Sequence, residues 1–112
     1  MSGWYELKKS SSGQFRFVLK AANAEIILTS ELYTTRAAAE NGIASVQANS
    51  PQEERYERKS AKDGKPYFNL KAANQQIIGS SETYSSEAAR DKGIASVKAN
   101  GPSHNIKDLT AV

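Results

Sequence analysis

Residues 4–51 and 55–102 carry one pattern written twice. Displacing the chain by 51 positions aligns it with itself without a gap, and 25 of the 48 aligned pairs are identical, where unrelated segments would match at roughly one position in twenty. The identities cluster in Leu19-Lys20-Ala21-Ala22-Asn23 against Leu70-Lys71-Ala72-Ala73-Asn74, and in Gly42-Ile43-Ala44-Ser45-Val46 against Gly93-Ile94-Ala95-Ser96-Val97. A unit of about 48 residues with no disulfide or metal buries too little apolar surface to fold by itself. The chain has no Cys, so the two units are expected to share one core. We therefore read residues 1–112 as a single domain of two repeats and a tail, 103–112.

Each unit reads as three strands followed by a helix. Near Trp4–Lys9, Tyr5 and Leu7 alternate with Glu6 and Lys8, the period of a half-buried strand. Ser11-Ser12-Gly13 and Lys62-Asp63-Gly64 supply hairpin turns. The second strand sets Phe15, Phe17 and Leu19 against Arg16, Val18 and Lys20, and its copy sets Phe68 and Leu70 against Tyr67, Asn69 and Lys71. The third strands span 25–29 and 76–80, and their adjacent isoleucines leave the facing open between burial on both sides and a bulge. Thr34 or Thr35, and Ser85 or Ser86, are candidate helix N-caps. Ala38, Gly42, Ile43 and Val46 then recur at helical spacing, as do Ala89, Gly93, Ile94 and Val97. A glycine on the apolar face of both helices predicts close approach of helix backbone to the sheet. Asn49-Ser50-Pro51 and Asn100-Gly101-Pro102 end the helices. Residues 53–60 are expected to run as one strand into the second unit, and 105–110 to hold a short terminal strand.

Three segments recur in order at constant spacing: Phe17–Asn23, Ser30–Tyr33 and Gly42–Asn49, repeated as Phe68–Asn74, Ser81–Tyr84 and Gly93–Asn100. In these the chain resembles the YegP-like family of small bacterial proteins. The resemblance implies an α+β fold of two tandem β-β-β-α(-β) repeats sharing one antiparallel sheet. It also implies exchanged C-terminal strands, two helices packed on the sheet and an internal pseudo-twofold axis. It implies no activity. The family pattern has Asn-Gly in the second hairpin, where this chain has Asn23-Ala24 and Asn74-Gln75. Asn itself is then the expected left-handed turn residue.

Catalytic constellations are missing from the sequence. The single His, His104, stands in the tail between Ser103 and Asn105, and no P-loop, dinucleotide fingerprint or metal motif is present. Glu31 and Glu82, carboxylates in equivalent loops, could pair across the repeat, although loop carboxylates are common and the sequence does not give their spacing. We expect no enzyme activity and no cofactor. The longest aliphatic run is Ile26-Ile27-Leu28, far short of the ~20 residues of a spanning helix, so no membrane contact is expected and a cytoplasmic location is the default; the internal pseudo-dimer points to a monomer.

Three groups are candidates for binding. Lys20 with Asn23, and Lys71 with Asn74, join a cation to turn amides and would suit an anion, although these residue types also serve ordinary turns. Ser30-Glu31-Leu32-Tyr33 and Ser81-Glu82-Thr83-Tyr84 would line a polar pocket, or pack Tyr33 and Tyr84 while serine and glutamate satisfy backbone amides. Trp4, Arg16 and Lys20, with Tyr67, Asn69 and Lys71, would share a sheet face suited to stacking single-stranded nucleic acid. Fifteen basic residues against twelve acidic ones give +3. Residues 1–51 hold five bases and four acids (+1), and residues 52–112 hold ten and eight (+2). Along the chain this reads as a diffuse surplus, so the expected role is a binding protein with an open partner, nucleic acid being the alternative.

Overall fold

A computed structural model describes residues 3–110. The element order is β1 (Trp4–Lys9), β2 (Phe15–Lys20), β3 (Ile26–Ser30), α1 (Arg36–Asn49), β4 (Tyr56–Ser60), β5 (Pro66–Lys71), β6 (Ile77–Ser80), α2 (Glu87–Asn100) and β7 (Ile106–Asp108). All seven strands belong to one sheet, ordered β4-β5-β6-β3-β2-β1-β7. Six of them pair antiparallel. β7, which follows the helix of repeat two, crosses to repeat one and runs parallel to β1. The sheet is thus mixed, because a strand arriving from the far end of a helix meets β1 in the same direction.

Four tight hairpins share one turn. In each, the amide of the first loop residue bonds the carbonyl four residues on, and that residue's carbonyl accepts from the amide three residues on: Ser10 with Gln14 and Gly13, Ala61 with Lys65 and Gly64, Ala21 with Glu25 and Ala24, Ala72 with Gln76 and Gln75. The fourth residue is left-handed every time: Gly13 (φ 85°), Gly64 (φ 84°), Ala24 (φ 69°) and Gln75 (φ 72°). The second hairpins therefore place the residue after asparagine, and not Asn23 or Asn74, in the left-handed region. Each asparagine instead accepts a bond from the amide two residues on, Glu25 or Gln76, at 3.1 Å. Beyond these turns the register slips at Leu19/Lys20 and Leu70/Lys71. The adjacent isoleucines thus mark bulges, with Ile27 and Ile78 buried and Ile26 and Ile77 exposed.

Both helices pack on one face of the sheet. Thr35 and Ser86 cap them, each side-chain oxygen accepting from the amide three residues on at 3.1 Å. Their apolar stripes, led by Ile43 and Val46 and by Ile94 and Val97, close over Tyr5, Leu7, Phe17, Leu19, Leu28, Tyr56, Phe68, Leu70 and Ile78. The mid-helix glycines are required less by the sheet backbone than by two tyrosines. A Cβ on Gly42 would lie 2.5 Å from the Tyr33 hydroxyl and 2.9 Å from the Phe17 ring, and one on Gly93 would strike Tyr84.

Near the middle of the sheet the repeats meet their own images. Thr29 pairs with Ser80, its counterpart 51 residues on, so the pseudo-twofold axis passes between β3 and β6. Beside it Leu28 faces Gly79, where a Cβ would sit 2.8 Å from the leucine Cγ and Cδ2. At the helix ends Ser50 faces Gly101, where a Cβ would overlap the serine side chain. Each contact is a residue against its own counterpart, and each has one side chain and one glycine.

Residues 53–60 are not one strand. A 3-10 turn, Glu53–Arg55, comes first, and Tyr56, the first residue of β4, donates its amide to the Glu53 carbonyl. The two strand-borne tyrosines then close the helices. Tyr56 donates its hydroxyl to the Ser50 carbonyl at 2.7 Å, and Tyr5 donates to the Gly101 carbonyl at 2.6 Å across 96 residues. Both serve helix-end carbonyls that lack intrahelical partners.

Two stability measurements test this account. Replacing Ala24 or Gln75 by Gly should raise unfolding free energy by about 0.5–1 kcal/mol each, because relief of left-handed strain exceeds the entropic cost of glycine. Gly79→Ala should cost about 1–3 kcal/mol by overpacking, and combining it with Leu28→Ala should cost clearly less than the sum of the two single changes in denaturant titrations.

Candidate functional site

The face of the sheet away from the helices is open, and strand alternation decides what it carries. Along one row the register sets Glu57, Asn69, Ser80, Thr29, Val18, Glu6 and Lys107 side by side across all seven strands. The rows beside it hold Trp4 with Lys20, Lys8 with Arg16, and Lys59 with Tyr67, together with Lys71, two residues beyond Asn69 on β5. The face therefore displays six cations (Lys8, Arg16, Lys20, Lys59, Lys71 and Lys107) against two carboxylates. Its surplus of four exceeds the +3 of the entire chain. The charge that looked diffuse when summed along the sequence is concentrated when summed across the sheet.

Two glutamates organise this surface in the same way in each repeat. Glu6 accepts from the Trp4 indole at 3.0 Å and holds Lys20 at 3.2 Å and Lys8 at 3.7 Å. Glu57 holds Lys71 at 3.0 Å and accepts from Asn69 at 3.3 Å. Hydrogen bonds from Trp4 and Lys20 lower the Glu6 pKa, and those from Lys71 and Asn69 lower that of Glu57. Arg16 and Lys59 carry no ion pair among the described residues, and Lys107 lies 4.5 Å from the centroid of the Trp4 ring. Val18, buried on this face at 4% exposure, is roofed by the longer side chains around it.

The structure thus brings Trp4, Arg16, Lys20, Tyr67, Asn69 and Lys71 onto one surface. Lys8, Lys59 and Lys107 belong to it as well; the period-two alternation could have found the first two, but Lys107 depends on where the tail docks. The hairpin-tip pairs are not assembled. Lys20 and Lys71 turn to Glu6 and Glu57, while Asn23 and Asn74 are spent on their own turns. Tyr33 and Tyr84 stack on Phe17 and Phe68 at 6.3 Å, and burial raises both of their pKa values. Ser30 and Ser81 accept from the Phe17 and Phe68 amides. A cavity of about 280 Å³ does open beside Tyr84, lined among others by Asn23, Glu25, Glu82 and Lys92. It sets Glu82 near Glu25 and not with Glu31. His104 is exposed in the tail. Among the described residues no group of three His, Cys, Asp or Glu side chains could hold a metal ion, and no helix is long and apolar enough to cross a membrane.

A second charged network lies at the edge of the sheet, on the helix side of β4. Glu53 binds Arg58 at 2.7 Å and also Lys98, and Asp91 binds both Arg58 and Arg90 at 3.2 Å. Lys98 and Arg58 together pull the Glu53 carboxyl down to about 2.

The duplicated unit and this sheet define the class of protein. The domain of unknown function DUF1508 matches the chain twice, over residues 10–57 and 61–108, and the protein belongs to that family. Each matched segment starts in the turn before the second strand and ends in the strand after the helix, so the family unit finishes in β4 in one case and β7 in the other. UPF0339 protein YegP of Escherichia coli K12 is 68% identical over 110 residues, covering 98% of this chain and 100% of that protein. The Acinetobacter baylyi protein ACIAD0721 is 66% identical over 110 residues, covering 98% and 99%. The solution NMR structure of E. coli yegP, a protein of unknown function, superimposes with a TM-score of 0.95 at 67% identity, covering 100% of this chain and 97% of that one. UPF0339 protein SO3888 from Shewanella oneidensis gives 0.93 at 68% identity, covering 98% and 93%.

The Glu53 network has a pH signature. Its carboxyl titrates lower when folded than its ordinary 4.5, so the unfolded chain takes up the proton first. The contribution is complete above about pH 4.5 and drains away as pH falls towards 2. Glu53→Gln should flatten that part of the stability curve in acid titrations followed by circular dichroism.

Proposed function

We propose that this protein acts by binding, without chemistry of its own, and that the helix-free face of the sheet is its working surface. A single-stranded nucleic acid is the ligand that this surface suits best. The observation that carries the reading is the gathering of six cations against two carboxylates on one face, interleaved with Trp4 and Tyr67. Arg16, Lys59 and Lys107 are the cations not held by a glutamate, and they are available to phosphates. Aromatic rings among them offer the sequence-tolerant stacking that single strands use. The paired glutamates keep Lys8, Lys20 and Lys71 extended over the sheet, a preorganised surface rather than a loose fringe of side chains.

Fluorescence anisotropy with labelled single-stranded oligonucleotides tests the reading. Binding should weaken linearly in log–log form as salt rises, with each phosphate contact adding about 0.7 to the slope. The combined change Arg16→Gln, Lys59→Gln and Lys107→Gln should weaken binding at least about tenfold and reduce the slope by about 2. Absence of binding at about 50 mM salt, where counterion release favours it strongly, would sink nucleic acid as the ligand.

A further inference from the structure

The two ends of the sheet are built from counterpart strands and finished differently. β1 is covered by β7, which bonds in parallel: Tyr5 donates its amide to the Asn105 carbonyl, and Leu109 donates to the Leu7 carbonyl, both at 2.8 Å. Among the described residues β4 has no neighbour on its outer side. Because backbone groups alternate in direction along an antiparallel strand, Tyr56 and Arg58 present outward what Tyr5 and Leu7 present to β7. The Tyr56 amide is taken by the Glu53 carbonyl. The Tyr56 carbonyl and the amide and carbonyl of Arg58 remain, three of the four positions that β7 uses on β1.

From this we infer that β4 is a docking edge for an extended segment of a partner protein, added in parallel, with an apolar residue followed two positions later by an acidic one. The chain's own tail supplies the template. Ile106 pairs with Tyr5, and Asp108 pairs with Leu7 and reaches Arg36 on α1. On β4 the position of Leu7 is held by Arg58 and that of Ala39 by Arg90, while that of Arg36 is held by Glu87, so the cations that would meet an acidic side chain are those on the strand and further along the helix. An acidic side chain opposite Arg58 therefore enters a group of three cations, Arg58, Arg90 and Lys98, shared between only two carboxylates, Glu53 and Asp91. A second copy of β4 does not suit the edge, since antiparallel self-pairing centred on Arg58 or on Lys59 sets that cation against its own copy. This edge borders the proposed nucleic-acid face but neither inference depends on the other.

The probe is a synthetic peptide with the sequence of residues 104–110, added to isotope-labelled full-length protein and followed by NMR. Amide shifts should appear at Arg58, Lys59 and Ser60, with slowed exchange at the outward Arg58 and Ser60 amides. Arg58→Pro removes an outward donor where an edge strand tolerates proline and should abolish the shifts. Should that variant not fold, a peptide with Lys in place of its Asp should bind the native protein at least about tenfold more weakly. The inference is overturned if the peptide perturbs only β1 and β7, if nothing moves at millimolar peptide, or if the charge-reversed peptide binds equally well.

Discussion

A duplicated chain folded about a twofold axis must place some residues against their own counterparts, and this constraint governs the rest of the molecule. Wherever the axis passes through a packed region, whatever side chain sits there is met by its repeat partner, at a distance fixed by the sheet or the helix ends. Two leucines cannot share the space beside Thr29 and Ser80, so one repeat has Leu28 and the other Gly79. Ser50 and Gly101 solve the same problem between the helix termini. There the solution is imperfect: the Ser50 hydroxyl is buried without a hydrogen-bond partner among the described residues, a condition that typically costs about 1–3 kcal/mol. The repeats are therefore complementary rather than interchangeable.

That complementarity extends outward from the axis. Away from the rims the halves match closely, down to paired aromatic clusters in which Tyr33 stacks on Phe17 with Tyr5 edge-on, and Tyr84 on Phe68 with Tyr56 edge-on. At the rims they part. Leu7 and Ala39 are buried, whereas Arg58 stands at a rim left open and Arg90 lies beneath it with 11% of its side chain exposed. Charged side chains on an exposed edge discourage indiscriminate strand pairing. The same side chains set the terms on which a particular strand is admitted.

Much of this fold was legible in the sequence, because alternation and helical spacing act locally and were written twice. Tyr5 and Leu7 against Glu6 and Lys8 sufficed to separate the two faces of β1. The left-handed residue of the second hairpins was not legible. Asn is a readier left-handed former than Ala or Gln, yet the turn is set by backbone bonds from Ala21 and Ala72, which put position 24 or 75 at the strained place. The 3-10 turn before β4 escaped as well, since nothing in residues 53–55 alone calls for it and one of the two partners of Glu53, Lys98, lies 45 residues away. Along the candidate face, parity was visible within each strand. The concentration of charge was not, because it depends on strand order and on a tail that lands beside Trp4. A sum along the chain cannot see a row across a sheet.

The hydroxyl of Tyr5 and the carbonyl of Gly101 have a consequence for how the molecule is made. Tyr5 is made 96 residues before Gly101, yet they meet in a buried bond, and β7 is added to β1 later still. While the residues between them are made, β1 has its outer edge bare and the Tyr5 ring lacks its final partner. Such long sequence separations slow folding, and unpaired edges are hazards while the chain is incomplete. For a nascent chain of this kind, closure of the sheet waits on α2 and β7.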